Sequence, residues 1–152
     1  MRRHLTIGIA LSAAAFHLYA AGYSPFTALV QRPIHLALMA SLGFLGVGMR
    51  GKDRRGRAET AFLITTMVLG CLYIASQQQA LVRRVGAATT LDLVAGAVVI
   101  AVVLELARRT AGWGLVTVAL TAIAYAFAGP YLPSFLAHRG YDAQRLIEHL
   151  YL

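Results

Sequence analysis

Five apolar runs divide this chain: Leu5–Ala21, Ile34–Met49, Ala61–Ser76, Leu91–Leu106 and Trp113–Ala128. Each holds 16 or 17 residues, at the short end of the roughly 17–25 that carry a helix across a bilayer. Thr60, Gln77 and Thr90 flank the runs and can extend them through the interface. None of the runs alternates in the manner of a barrel strand, so they read as helices. Over the 152 residues, 59% are hydrophobic and 13% charged, against about 25% charged in a soluble domain. So few charges cannot clothe a water-facing surface, and hydrocarbon removes that need. The predicted fold class is an all-α integral membrane bundle of four to five transmembrane helices, a single membrane domain over residues 1–152.

The fourth run shows the balance of energies. Its ten Leu, Val and Ile residues favour insertion by about 0.3–0.6 kcal/mol each, or about 3–6 kcal/mol together. Asp92 and Glu105 lie near its two ends, where a charge costs far less than at mid-bilayer. Thr89 or Thr90 is placed to cap this helix, with Asp92 in its first turn against the positive end of the dipole. Pro33 is expected at the start of the second helix, where a missing N–H costs nothing. Gly129-Pro130 closes the fifth.

Fourteen Lys and Arg face six Asp and Glu. The basic residues do not form a stripe that tracks nucleic-acid phosphates; they cluster in short loops, most densely over Arg50–Arg57, as expected beside anionic lipid. With the N-terminus inside, nine basic residues (Arg2, Arg3, Arg50, Lys52, Arg54, Arg55, Arg57, Arg108, Arg109) fall on the cytoplasmic side and five (Arg32, Arg83, Arg84, Arg139, Arg145) opposite. That imbalance points to a cytoplasmic N-terminus and, with five spans, an external C-terminus. Met1-Arg2-Arg3 and the run ending Ala20-Ala21-Gly22 also resemble a cleavable signal, but the length of the run and the spans that follow favour a retained first helix.

Candidate chemistry is sparse. Cys71 is the lone cysteine, which excludes an internal disulfide and any multi-thiolate metal site. No phosphate-binding glycine loop, paired metal ligands or nucleophile with a base stands out, so no catalytic, cofactor or metal residue is assigned and no enzyme is expected. His17 and His35 lie in or near apolar runs, which makes each a candidate by position. Glu105 is followed at three and four residues by Arg108 and Arg109, a spacing that pairs them on one helix face. Small residues at Gly43, Gly46, Gly48, Gly96, Ala97, Ala101, Ala122 and Ala126 permit close helix approach. In the tail, Leu146, Ile147, Leu150 and Tyr151 recur at amphipathic spacing, which predicts a short helix within residues 141–152.

Three stretches carry a family resemblance. They are Gln31-Arg32-Pro33-Ile34-His35-Leu36-Ala37-Leu38; Thr90-Leu91-Asp92-Leu93-Val94-Ala95-Gly96 with Leu104-Glu105-Leu106-Ala107-Arg108-Arg109-Thr110-Ala111-Gly112-Trp113; and Gly129-Pro130-Tyr131-Leu132-Pro133 with Leu136-Ala137-His138-Arg139-Gly140-Tyr141. Together they resemble the N-terminal, small-subunit portion of fused permeases of tripartite ATP-independent periplasmic (TRAP) transporters of the TAXI type. The resemblance implies uptake of organic acids or related solutes, driven by a sodium gradient and fed by a periplasmic binding protein. It places the chain in a bacterial or archaeal inner membrane. The large permease subunit would hold the substrate and sodium sites, and the small portion would be a stationary scaffold without a cofactor of its own. Fused members continue beyond the segment matching Leu150-Tyr151-Leu152, so a split subunit or a leading portion is expected. Asp92, Glu105, Arg108 and Arg109 carry over as structural or interface residues, and Arg139 and Tyr141 are the candidates for binding-protein docking. A small self-sufficient homo-oligomeric transporter or channel is the alternative.

Overall fold

A computed structural model describes residues 2–23, 26–48, 53–83 and 86–151. Met1, Met49, Arg50, Gly51, Lys52, Arg84 and Leu152, which enter the span, loop and charge readings above, lie outside the described residues. Five long helices follow one another: α1 (Arg2–Gly22), α2 (Ala28–Gly48), α3 (Arg54–Arg83), α4 (Thr90–Ala111) and α5 (Trp113–Ala128). A 3-10 turn (Gly129–Tyr131) and a short helix, α6 (Ala143–Tyr151), complete the chain. Among the described residues there is no strand. Counting the 3-10 turn with α5 (Trp113–Tyr131), all five long helices are long and apolar enough to cross a membrane. The protein is an all-α, multi-pass membrane protein.

Most helices outrun the apolar runs that announce them. At about 1.5 Å per residue, the 21 residues of α1 span about 31 Å, close to the hydrocarbon thickness of about 30 Å. The 30 residues of α3 reach about 45 Å, so its Arg54–Arg57 and Gln77–Arg83 ends extend past the core of a bilayer. Such ends are built from long polar side chains that reach headgroups while the backbone stays helical.

Pro33 corrects one expectation. It stands inside α2, at its sixth residue, and not at the helix start. The helix begins earlier because the Thr27 carbonyl accepts the N–H groups of both Val30 and Gln31 at 2.9 Å. Pro33 therefore removes the donor that the Leu29 carbonyl would receive four residues on. Its ring is buried.

The chain packs as two compact units, Met1–Arg83 and Arg84–Leu152. In the first, α2 packs against both α1 and α3. Phe44 and Leu45 of α2 and Met67 and Cys71 of α3 are buried there. Thr27 Oγ1 donates to Gln78 Oε1 at 2.7 Å, tying the residue before α2 to the far end of α3. In the second unit, α4 packs against α5 and α6, and Gly112, at φ 80°, is the single residue between α4 and α5.

The start of α4 is capped as its residues predict, with Thr89 as the N-cap. The Thr89 N–H and Oγ1 donate to Asp92 Oδ2 at 2.8 and 2.7 Å, and the Asp92 N–H donates back to Thr89 Oγ1 at 3.3 Å. This reciprocal box satisfies two donors that a helix start leaves open. Asp92 is fully buried. Thr89→Ala is expected to cost about 1 kcal/mol, read as a lower unfolding midpoint by circular dichroism in detergent.

Candidate functional site

The residues singled out by sequence fall into separate places. Asp92 and Glu105 lie thirteen residues apart on α4, about 20 Å along the helix axis. They act in different settings. Asp92 completes the cap described above, and Glu105 sits near the opposite end of the helix.

Glu105, Arg108 and Arg109 come together as one cluster. Arg108 donates from Nε to Glu105 Oε2 and from Nη2 to Oε1, both at 2.7 Å. Arg109 donates from Nε to Oε1 at 2.5 Å. The two arginines differ in surroundings: the Arg109 side chain is 6% exposed and that of Arg108 38%. The Arg108 guanidinium also lies 5.6 Å from the ring centre of Trp113, across the Gly112 junction. A helix C-terminus favours cations through its dipole, so one carboxylate and two guanidiniums there make a stable, net positive knot that ties α4 to the first residue of α5.

The loop between α5 and α6 is equally determined. His138 Nδ1 accepts the Gly140 N–H at 3.0 Å, which leaves Nε2 as the donor to the Tyr125 carbonyl, also at 3.0 Å. The Tyr125 hydroxyl donates to the Leu136 carbonyl at 3.1 Å. A Cβ at Gly129 would overlap the His138 ring, and one at Gly140, where φ is 75°, would meet the Pro130 ring. Tyr141 is anchored through its N–H to the Ala126 carbonyl at 2.9 Å, its ring 6.1 Å from His138. Arg139 is exposed on the same loop.

Two arrangements have no local signal in the sequence. First, Gly96 of α4 receives α6: a Cβ there would collide with the Ile147 side chain and the Tyr151 ring. Glu148 on the same helix accepts the Ala88 N–H at 3.2 Å. The amphipathic spacing of the tail announces a helix but not its seat. Second, His17 of α1 and His35 of α2 meet, Nε2 to Nδ1, at 2.9 Å.

No protein-family model, curated protein or solved structure matches this chain. The chemistry must be read from the side chains. Within the helices, hydroxyls turn back on their own backbone: Ser41 to the Ala37 carbonyl at 2.6 Å, Thr60 to Gly56 at 2.8 Å, Thr117 to Trp113 at 2.7 Å and Thr121 to Thr117 at 2.8 Å. Donors in hydrocarbon must be satisfied internally, and this is the local way to do so. Among the described residues, no group of three or more His, Cys, Asp or Glu side chains gathers.

Proposed function

We propose that this chain is a small, non-catalytic scaffold subunit of a TRAP-type secondary transporter. The observation that carries the reading is how the polar groups of the spans are used. Asp92 is engaged in a helix cap, Glu105 in two arginine pairs, and Ser41, Thr60, Thr117 and Thr121 in bonds to their own helices. Large apolar side chains such as Phe62, Leu69, Val118 and Leu18 face outward. Helices of this kind wall a neighbouring element or meet lipid; they offer little to an organic anion crossing the membrane.

The three stretches that resemble TAXI-type permeases support the same role. On this reading the N-terminus is cytoplasmic in a prokaryotic inner membrane, and the Glu105 cluster lies on the cytoplasmic side. The Arg139–Tyr141 loop is then external, where a substrate-loaded binding protein docks. A large permease subunit holds the substrate and sodium sites.

The test is reconstituted uptake with and without this chain, beside the large subunit and the binding protein. Uptake is expected to collapse without it, and the two membrane proteins are expected to copurify. Full-rate uptake by the large subunit and binding protein alone would refute the scaffold role. Solute movement by this chain alone in liposomes would favour the homo-oligomeric alternative. That alternative has an open small-residue surface at Gly46, where an added β-carbon would meet nothing within 4 Å.

A further inference from the structure

We infer that His17 and His35 form a two-imidazole site for a divalent late transition-metal ion, bridging α1 to α2. The inference is independent of the transporter reading. Of the five histidines, these two present ring nitrogens to one another, 2.9 Å apart, from different helices. His138 is committed to Tyr125 and Gly140 through both nitrogens, so it has no lone pair to offer.

The 2.9 Å separation is that of a ring-to-ring hydrogen bond, and it also brings the two nitrogens into the range that two imidazoles on one ion span. Two metal–nitrogen bonds of about 2.0–2.1 Å meeting at a right angle hold their nitrogens about 2.9 Å apart. That is the separation of neighbouring positions in the tetragonal geometry of Cu²⁺ and Ni²⁺. Tetrahedral Zn²⁺ opens the angle and sets about 3.3 Å between the same atoms, which turned rings also reach, and Cu²⁺ leads by its higher affinity for nitrogen ligands. The ring planes are tilted by 55° with centroids 4.9 Å apart. Converging both lone pairs on one ion therefore requires the two rings to turn away from their present hydrogen bond. The ring that now donates its N–H must carry that proton on its other nitrogen once the metal enters, because a ligating imidazole is neutral and gives a lone pair. His35 is exposed on the surface of α2, so in detergent an ion need not cross the packed interior to reach the pair.

Cu²⁺ titrated into the untagged full chain in detergent, followed by electron paramagnetic resonance, tests the site. One ion per chain is expected, with splitting from two imidazole nitrogens. Loss of even an outer-shell partner weakens metal sites by about 10–100-fold; His17→Ala and His35→Ala, which remove a ligand, should each weaken binding at least about tenfold. Both should also reduce the nitrogen count, while His4→Ala and His149→Ala leave both readouts unchanged. Since a ligand that binds the folded state raises its midpoint, Ni²⁺ should raise the unfolding temperature of the unmodified chain and of neither pair variant. Unchanged binding in His17→Ala, or a loss in His4→Ala equal to that in His17→Ala, would overturn the assignment.

Discussion

Glu105→Ala is expected to destabilise the protein by about 3 kcal/mol, the lower edge of the range for removing one partner of a buried ion pair. The lower edge applies because Glu105 itself is 26% exposed. The cost arises on the arginine side. Arg109, at 6% exposure, cannot swing its guanidinium into water when the carboxylate goes, and a charge held in a poorly solvated place without its counter-ion is the expensive state. Arg108, more exposed, can turn outward. Arg108→Ala should therefore cost no more than about 1 kcal/mol, the usual scale for an exposed pair, even though its cation also leaves the Trp113 ring. Glu105→Gln should fall between, since an amide oxygen still accepts from one guanidinium. Thermal unfolding in detergent, followed by circular dichroism, ranks the three. Equal losses for Glu105→Ala and Arg108→Ala would mean that the cluster is a solvated surface pair.

This cluster is legible in the sequence because it is local. Residues three and four apart share a helix face whatever the tertiary structure does, and the Thr89–Asp92 cap is legible for the same reason. The five helices are legible because hydrocarbon demands long uninterrupted apolar stretches. Their ends are less so: α2 already contains Gln31 and Arg32 ahead of Pro33. These polar residues continue the helix into the interface, so Pro33 imitates a start signal that it does not supply. What sequence does not disclose depends on distant partners. His17 and His35 are eighteen residues apart and meet only because α1 and α2 fold back on each other. Gly96 is one small residue among many in the sequence, and it becomes specific only when Ile147 and Tyr151 arrive from the far end of the chain.

That seat makes Gly96→Leu the most informative change in the second unit. The atoms a new side chain would meet include the γ-carbon of the Tyr151 ring as well as a methyl of Ile147. Both of these atoms lie one bond from Cβ and move only if χ1 changes, which swings the whole Tyr151 ring out of its seat, so the packing of α6 on α4 must give way. Overpacking of this kind costs about 1–3 kcal/mol. The nine residues of α6 are fewer than the roughly 12–15 at which an isolated helix becomes even marginal in water, so a displaced α6 should also unravel. Arg145, on its exposed side, then reports the event, because trypsin cuts an extended segment far faster than a docked helix. Cleavage after Arg145 in the Gly96→Leu protein should be accelerated about tenfold or more, since each 1.4 kcal/mol of opening free energy is a factor of ten. Gly46→Leu is the matched control: the space around Gly46 is open, and the rate there should not change. If Gly96→Leu is cut no faster than the unmodified chain, α6 does not depend on its seat at Gly96, and hydrophobic adhesion to the detergent or lipid surface must hold it in place.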